Sequence, residues 1–148
     1  MRAVIQRVTA ARVEVNGSIT GQISTGMAVF LGVGRQDTRS HADKMLEKIL
    51  GLRIFPDEQG RMNRDIVSIG GEILIISQFT LYGDCRRGRR PSFDAAADPK
   101  TAAGFYDYFV ERARAGPVPI ATGVFQASMQ VHLVNDGPVT ILMDSDRL

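Results

Sequence analysis

The pair Asn16-Gly17 constrains this chain more than any other two residues. Both central residues of a type I′ turn need positive φ, and Asn-Gly supplies them at the least steric cost. Val13 and Val15 before the pair alternate with Ile19 and Ile23 after it. A two-residue hairpin is therefore predicted, and with it an antiparallel start to a sheet. Within Ala3 to Val15, Val4, Gln6 and Val8 fall on one strand face, and Ala3, Ile5 and Arg7 on the other. After Gly26, the run Met27 to Val33 reads as a strand buried on both faces.

The period then changes. Met45, Leu46, Ile49 and Leu50 recur at helical spacing between Ser40 and Leu52, with Ser40 and Asp43 as a capping-box-like start. Pro56 and Asp57 to Gly60 mark a loop, and Ile66 to Ile69 reads as a short strand that Gly70-Gly71 breaks. Glu72 to Leu81 is the most apolar strand candidate. A polar loop, residues 82–98, leads to Asp98-Pro99, a cap followed by a proline tolerated at the first helical position. Ala102, Phe105, Phe109, Val110 and Ala113 give that second helix an apolar stripe, which Gly116-Pro117 ends. Gln130 to Val134 and Pro138 to Met143 are the last two strands, with a turn between them. This order predicts one α+β domain, residues 1–148, with two main helices and a mixed sheet that is mainly not βαβ.

Composition narrows the function. Eighteen Lys and Arg against sixteen Asp and Glu give a net charge of +2, too weak for a histone-like polycation. The single cysteine, Cys85, excludes an internal disulfide framework and any multi-cysteine zinc site. With only His41 and His132, a zinc site would need carboxylates to complete it. No apolar run approaches the roughly 20 residues of a membrane helix, and Met1 to Arg7 lacks a signal-peptide core. A soluble, cytoplasmic protein is expected.

Ordinary catalytic machinery is scarce. His41 opens a helix and His132 sits in mid-strand, both places where a lone histidine is more often structural. Cys85 lies beside Arg86 and Arg87, which would lower a thiol pKa, but no histidine is near it in sequence. No carboxylate pair stands out as an acid/base dyad. Ser77-Gln78-Phe79-Thr80-Leu81 puts polar groups at the end of a very apolar strand, where burial without partners is costly. These side chains either meet a ligand or tie down the following loop. Asn135-Asp136-Gly137-Pro138-Val139-Thr140 reads first as a plain turn. Its Gly-Pro pair also admits a cis bond, found in about 5–6% of X-Pro cases. A glycine before it leaves the main-chain carbonyls uncrowded. Arg86, Arg87, Arg89 and Arg90 crowd four guanidinium forks into five residues, a pattern suited to phosphate oxygens, although a charge run is often only a solvated loop. Pro91-Ser92-Phe93 stiffens the loop and offers a stacking ring.

Ser77 to Leu81, the basic loop Gly83 to Phe93, and Asn135 to Thr140, in that order and at this length, resemble the D-aminoacyl-tRNA deacylases. The resemblance covers essentially the whole chain from Met1. It implies a β-barrel-like α+β fold and a homodimer with its sites at the subunit interface. The implied reaction is hydrolysis of the ester between a D-amino acid and the 3′-terminal adenosine of tRNA. Gly137-Pro138 would be cis and reach into the partner's pocket to exclude L side chains. Glycine has no side chain to exclude, so glycyl-tRNA would be a second substrate. Phe125 and Met129 would line the adenosine pocket, and Arg7 would brace the Gly-Pro loop. The implied partner is tRNA, not DNA or a membrane, and no cofactor or metal is called for. Cys85 departs from the small polar residue the family often has after Asp84. Ser77, where a related subfamily with a trans Gly-Pro carries Thr, favours the D-specific branch.

An aminoacyl ester carries a vicinal ribose hydroxyl. If that group activates water, the protein need only position the ester and stabilise the oxyanion with backbone N–H groups. Ser77, Gln78 and Thr80 would then shape the site, with no covalent role for Thr80, which has no base beside it in sequence. The competing readings are an RNA-binding module without turnover and an esterase that uses Thr80 or Cys85.

Overall fold

The computed structural model describes Met1–Leu148, and in it Asn16 and Gly17 both take positive φ, 50° and 77°. The hairpin they close joins β1 (Arg2–Val15) to β2 (Ser18–Ile23). β3 (Gly26–Gly32) follows, then α1 (Arg39–Leu50), a two-stranded ribbon of β4 (Phe55–Pro56) and β5 (Met62–Arg64), and β6 (Glu72–Ser77). α2 (Pro99–Arg114), β7 (Ile120–Thr122) and β8 (Gln130–Asp144) complete the order.

The main sheet runs β2-β1-β3-β6-β7, with β8 along the other edge of β1. β1 is long enough to serve three neighbours, all antiparallel: β3 pairs with Arg2 to Val8, β2 with Ala11 to Val15, and β8 with Arg2 to Glu14. The other two pairings, β3 with β6 and β6 with β7, are parallel. α1 and α2 make those crossovers, and with three antiparallel pairings against two parallel ones the sheet is mainly not βαβ, as expected. The parallel pairings rest on β3 and β6, whose apolar runs bury both faces as parallel strands do.

Two cores result. Ala3, Ile5, Val29 and Ile75 pack with Met45 of α1 and Phe109 of α2. Val8, Ala11, Val13, Ala28, Leu74 and Ile76 form a smaller core on the opposite face. β1 serves both because its register against β8 shifts between Gln6 and Val8 and again between Val8 and Ala10, which changes the face it buries. The barrel-like sheet nearly closes where β2 meets β7. Gly21 makes that approach: a Cβ there would lie 2.3 Å from the carbonyl oxygen of Thr122.

Both helices are capped from their own sequence. Asp98 accepts from the backbone N–H groups of Lys100 and Thr101 at 3.1 and 3.0 Å, with Pro99 in the first turn. α1 is capped by Thr38 rather than Ser40, because Thr38 is the extended residue before the helix. Its hydroxyl accepts from His41 N–H at 3.4 Å, while His41 Nδ1 accepts from Thr38 N–H at 3.2 Å. No helix is long and apolar enough to cross a membrane.

Three strand predictions are corrected. Ile66 to Ile69 is a turn, although Ile66 itself is fully buried. The strand expected from Glu72 to Leu81 stops at Ser77, and Phe79–Tyr82 coils into a 3₁₀ turn. The turn expected around Asn135 to Thr140 lies inside one continuous strand, β8, which absorbs those residues as an irregularity in its pairing with β1.

Candidate active site

The end of β6 is where polarity appears. Gln78 N–H donates to Leu31 O at 2.8 Å and so continues the contact with β3, after which the chain turns over. That turn opens a cleft of about 1080 Å³. Ser77, Gln78 and Phe79 line it, as do Phe93, Tyr106 of α2, and Phe125 and Met129 from the segment between β7 and β8. The structure thus brings Ser77 and Gln78 from the end of β6 together with Phe125 and Met129 from the segment between β7 and β8. Thr80 is not among the lining residues; it is exposed, and its hydroxyl accepts from the Gln78 amide. Neither Gln78 nor Thr80 lies in a strand, so the polar end of the expected strand belongs instead to the turn that follows it.

The titratable groups of the cleft are committed. The Asp98 carboxylate caps α2, and the hydrogen bonds from Thr101 hold its pKa below the usual range. The Tyr106 hydroxyl is pushed up to about 12 by burial and donates to Ile75 O at 2.9 Å. Arg35 donates to Ala96 O at 3.3 Å, and its guanidinium offers donors only. None of the three is available to accept a proton near neutral pH.

Gly137, Pro138 and Arg7 form a separate group away from the cleft lining. The Gly137-Pro138 bond is cis, and Gly137 has φ +122. Arg7 donates from Nε to Asp136 O at 3.1 Å and from Nη1 to Ile54 O at 2.6 Å, and pairs with the Asp136 carboxylate at 3.1 Å. Asn135 holds the far side of the same segment, its amide oxygen accepting from Val139 N–H at 3.1 Å.

The basic loop is pinned at its base, where Asp84 and Ser92 exchange backbone hydrogen bonds of 2.7 and 3.0 Å. Its four arginines are not equivalent. Arg86 folds back on Asp84 at 2.5 Å, and its hydrogen bonds draw that carboxyl down to about 2. Arg87, Arg89 and Arg90 are exposed and form no ion pair. Cys85 is a free, exposed thiol.

Elsewhere, Asp37, His41 and Asp146 lie close enough to suggest a metal site. Two of the three already hold hydrogen-bond partners, however. Asp37 receives the Met1 ammonium on Oδ1 and Gly34 N–H on Oδ2, and His41 Nδ1 is the capping acceptor described above. His132 sits on the β8 surface, 3.6 Å from Glu14, which also takes Arg12 at 2.7 Å.

Tyr106 and the start of α2 escaped the sequence reading of the site, whereas Phe93 reads there as a stacking ring of the basic loop and not as part of the cleft. Phe93 carried a signal, as an aromatic residue ending the basic loop. Tyr106 carried none, because it lies in the buried stripe of an ordinary amphipathic helix.

These features define the class: a mixed-sheet α+β protein with a largely apolar cleft at the carboxyl end of a parallel strand and a basic loop beside it. Comparison with known proteins narrows it. The family model for D-Tyr-tRNA(Tyr) deacylase matches residues 4–144. A D-aminoacyl-tRNA deacylase of Solibacter usitatus (strain Ellin6076) is 58% identical over 146 residues, covering 99% of this chain and 97% of the relative. One from Thermosipho melanesiensis (strain DSM 12029 / CIP 104789 / BI429) is 55% identical over 149 residues, covering 100% and 99%. Among solved structures, the c-Myc DNA unwinding element binding protein superposes with a TM-score of 0.92 at 43% identity, over 97% of this chain and 98% of that one. A probable eukaryotic D-amino acid tRNA deacylase superposes at 0.82 with 17% identity over 96% and 97%, which speaks to the fold. The chain belongs to the D-aminoacyl-tRNA deacylase family, as its three motifs implied.

Proposed function

We propose that this chain hydrolyses the ester joining a D-amino acid to the 3′-terminal adenosine of tRNA, and accepts glycyl-tRNA as well. The observation that carries the mechanism is the chemistry of the cleft lining: its acid and its phenol are both tied to structural partners, and its arginine cannot take a proton. A reaction there needs a base from elsewhere. The substrate's own 2′-hydroxyl supplies one, and positioning then does the remaining work. Phe125 and Met129 are assigned to the adenine ring, and Ser77, Gln78 and the backbone of the 3₁₀ turn to the ester. The first N–H groups of such a turn have no partner within it and suit a developing oxyanion.

Selection against L-amino acids is assigned to Gly137-Pro138, with Arg7 as its brace. In one chain that segment does not line the cleft, so the proposal includes a homodimer in which each copy presents its loop to the other's cleft. The outer face of the β1–β8 ladder supports this. Leu142 is 77% exposed there, directly across from Val4.

The test is to incubate the protein with D-tyrosyl-, L-tyrosyl- and glycyl-tRNA, each also prepared with a 2′-deoxy terminal adenosine. Release of D-tyrosine and glycine but not L-tyrosine is expected, with a loss of about 100-fold or more on the deoxy substrates. Salt-dependent binding without release would instead make it an RNA-binding module. Equal cleavage of both enantiomers would remove the role given to Gly137-Pro138.

A further inference from the structure

We propose that Phe79 and Phe93 form a stacking platform for the nucleotide that precedes the terminal adenosine, joining the cleft to the arginine loop. This rests on the reading of the cleft as the aminoacyl-adenosine site. Phe79 is 56% exposed, although it follows a strand whose apolar residues are otherwise buried. Its ring meets Phe93 edge to face, with centroids 5.0 Å apart and planes at 66°. Such a contact fixes a ring without covering both faces of the pair. Phe93 is held in turn: it lies over Gly83, where a Cβ would approach its ring to 3.2 Å, and directly after the pinned base of the basic loop.

The chain order makes the platform a bridge. It leaves the cleft at Phe79, passes through the arginine loop, and returns at Phe93, and both rings line the cleft. A 3′ end seated by its last nucleoside must pass this rim on the way out. The next base meets a flat, held aromatic ring, and the flanking phosphates meet Arg87, Arg89 and Arg90. Stacking of this kind accepts any base, as a protein serving many tRNAs with one common CCA end requires.

Two substrates of different length test it: D-tyrosyl-adenosine and D-tyrosyl-CCA. Phe79→Leu and Phe93→Leu keep apolar bulk, and an unchanged circular dichroism spectrum verifies folding. For Phe79→Leu, kcat/KM on the trinucleotide should fall about tenfold more than on the nucleoside, through KM, and Phe79→Trp should restore it. Equal losses on both substrates would overturn the proposal, because the rings would then serve the nucleoside pocket itself. So would no loss on either. The ratio of affinities for uncharged CCA and AMP gives the same reading without turnover. A wild-type protein that hydrolyses neither ester yet loses CCA affinity on Phe79→Leu would retain the platform and defeat the deacylase assignment.

Discussion

Thr80 marks the boundary between shaping a site and doing chemistry. Its hydroxyl accepts from an amide that can take no proton, so nothing beside it raises its nucleophilicity. Thr80→Ala should therefore keep kcat on D-tyrosyl-tRNA within about fivefold, whereas loss of an activated nucleophile costs orders of magnitude. Complete loss in a folded variant would restore covalent catalysis. The Asp84–Arg86 pair gives a second prediction. Arg86 lowers the Asp84 pKa to about 2, so the pair's contribution is full above the ordinary carboxylate range and is lost only as pH falls toward 2. The pair's own charges are then constant from about pH 5 to 9, and the pair's share of tRNA affinity should be flat there at fixed salt. Asp84→Asn frees Arg86 and should steepen the dependence of log K on log salt by about 0.7 per added phosphate contact; an unchanged slope would show that Arg86 does not reach the backbone. At this level the sequence was informative. Ser77 and Gln78 stood out because polar groups ending a buried strand need partners. The inequality of the arginines was hidden, because it depends on how the loop folds back on Asp84.

Among the elements, local signals were the readable ones. Asn16-Gly17 and Asp98-Pro99 specify their own backbone, and the structure follows both. What failed was non-local. Asn, Asp, Gly and Pro from 135 to 138 have turn chemistry, yet pairing with β1 resumes past them and makes one strand. The end of β6 is set by where β3 stops offering partners, which its own apolar run does not encode. The seam between β2 and β7 is another such feature. Gly21→Ala places a methyl against a backbone carbonyl that cannot step aside, so a loss of about 1–3 kcal/mol and a lower Tm are expected. An unchanged Tm would mean the seam opens freely. Tyr106→Phe should cost about 1 kcal/mol by removing one of the two donors to Ile75 O, which keeps Gly123 N–H, as measured by denaturant unfolding.

For the whole molecule, the cleft and the Arg7-braced loop lie apart in one chain, which is the ground for the proposed homodimer. Leu142 is exposed on the β1–β8 ladder opposite a half-buried Val4, and the proposed homodimer would cover it. Leu142→Glu should therefore shift the protein from dimer to monomer by analytical ultracentrifugation and abolish turnover, although it alters no residue of the cleft. A fully active monomer would show that one copy suffices.

That division has a genetic corollary. In the proposed homodimer, a chain crippled at Gln78 and another crippled at Arg7 would carry their damage in different halves of each composite centre. Co-expressed, they should form hybrids in which one centre inherits both defects and the other inherits neither, so two dead alleles would together yield a living enzyme.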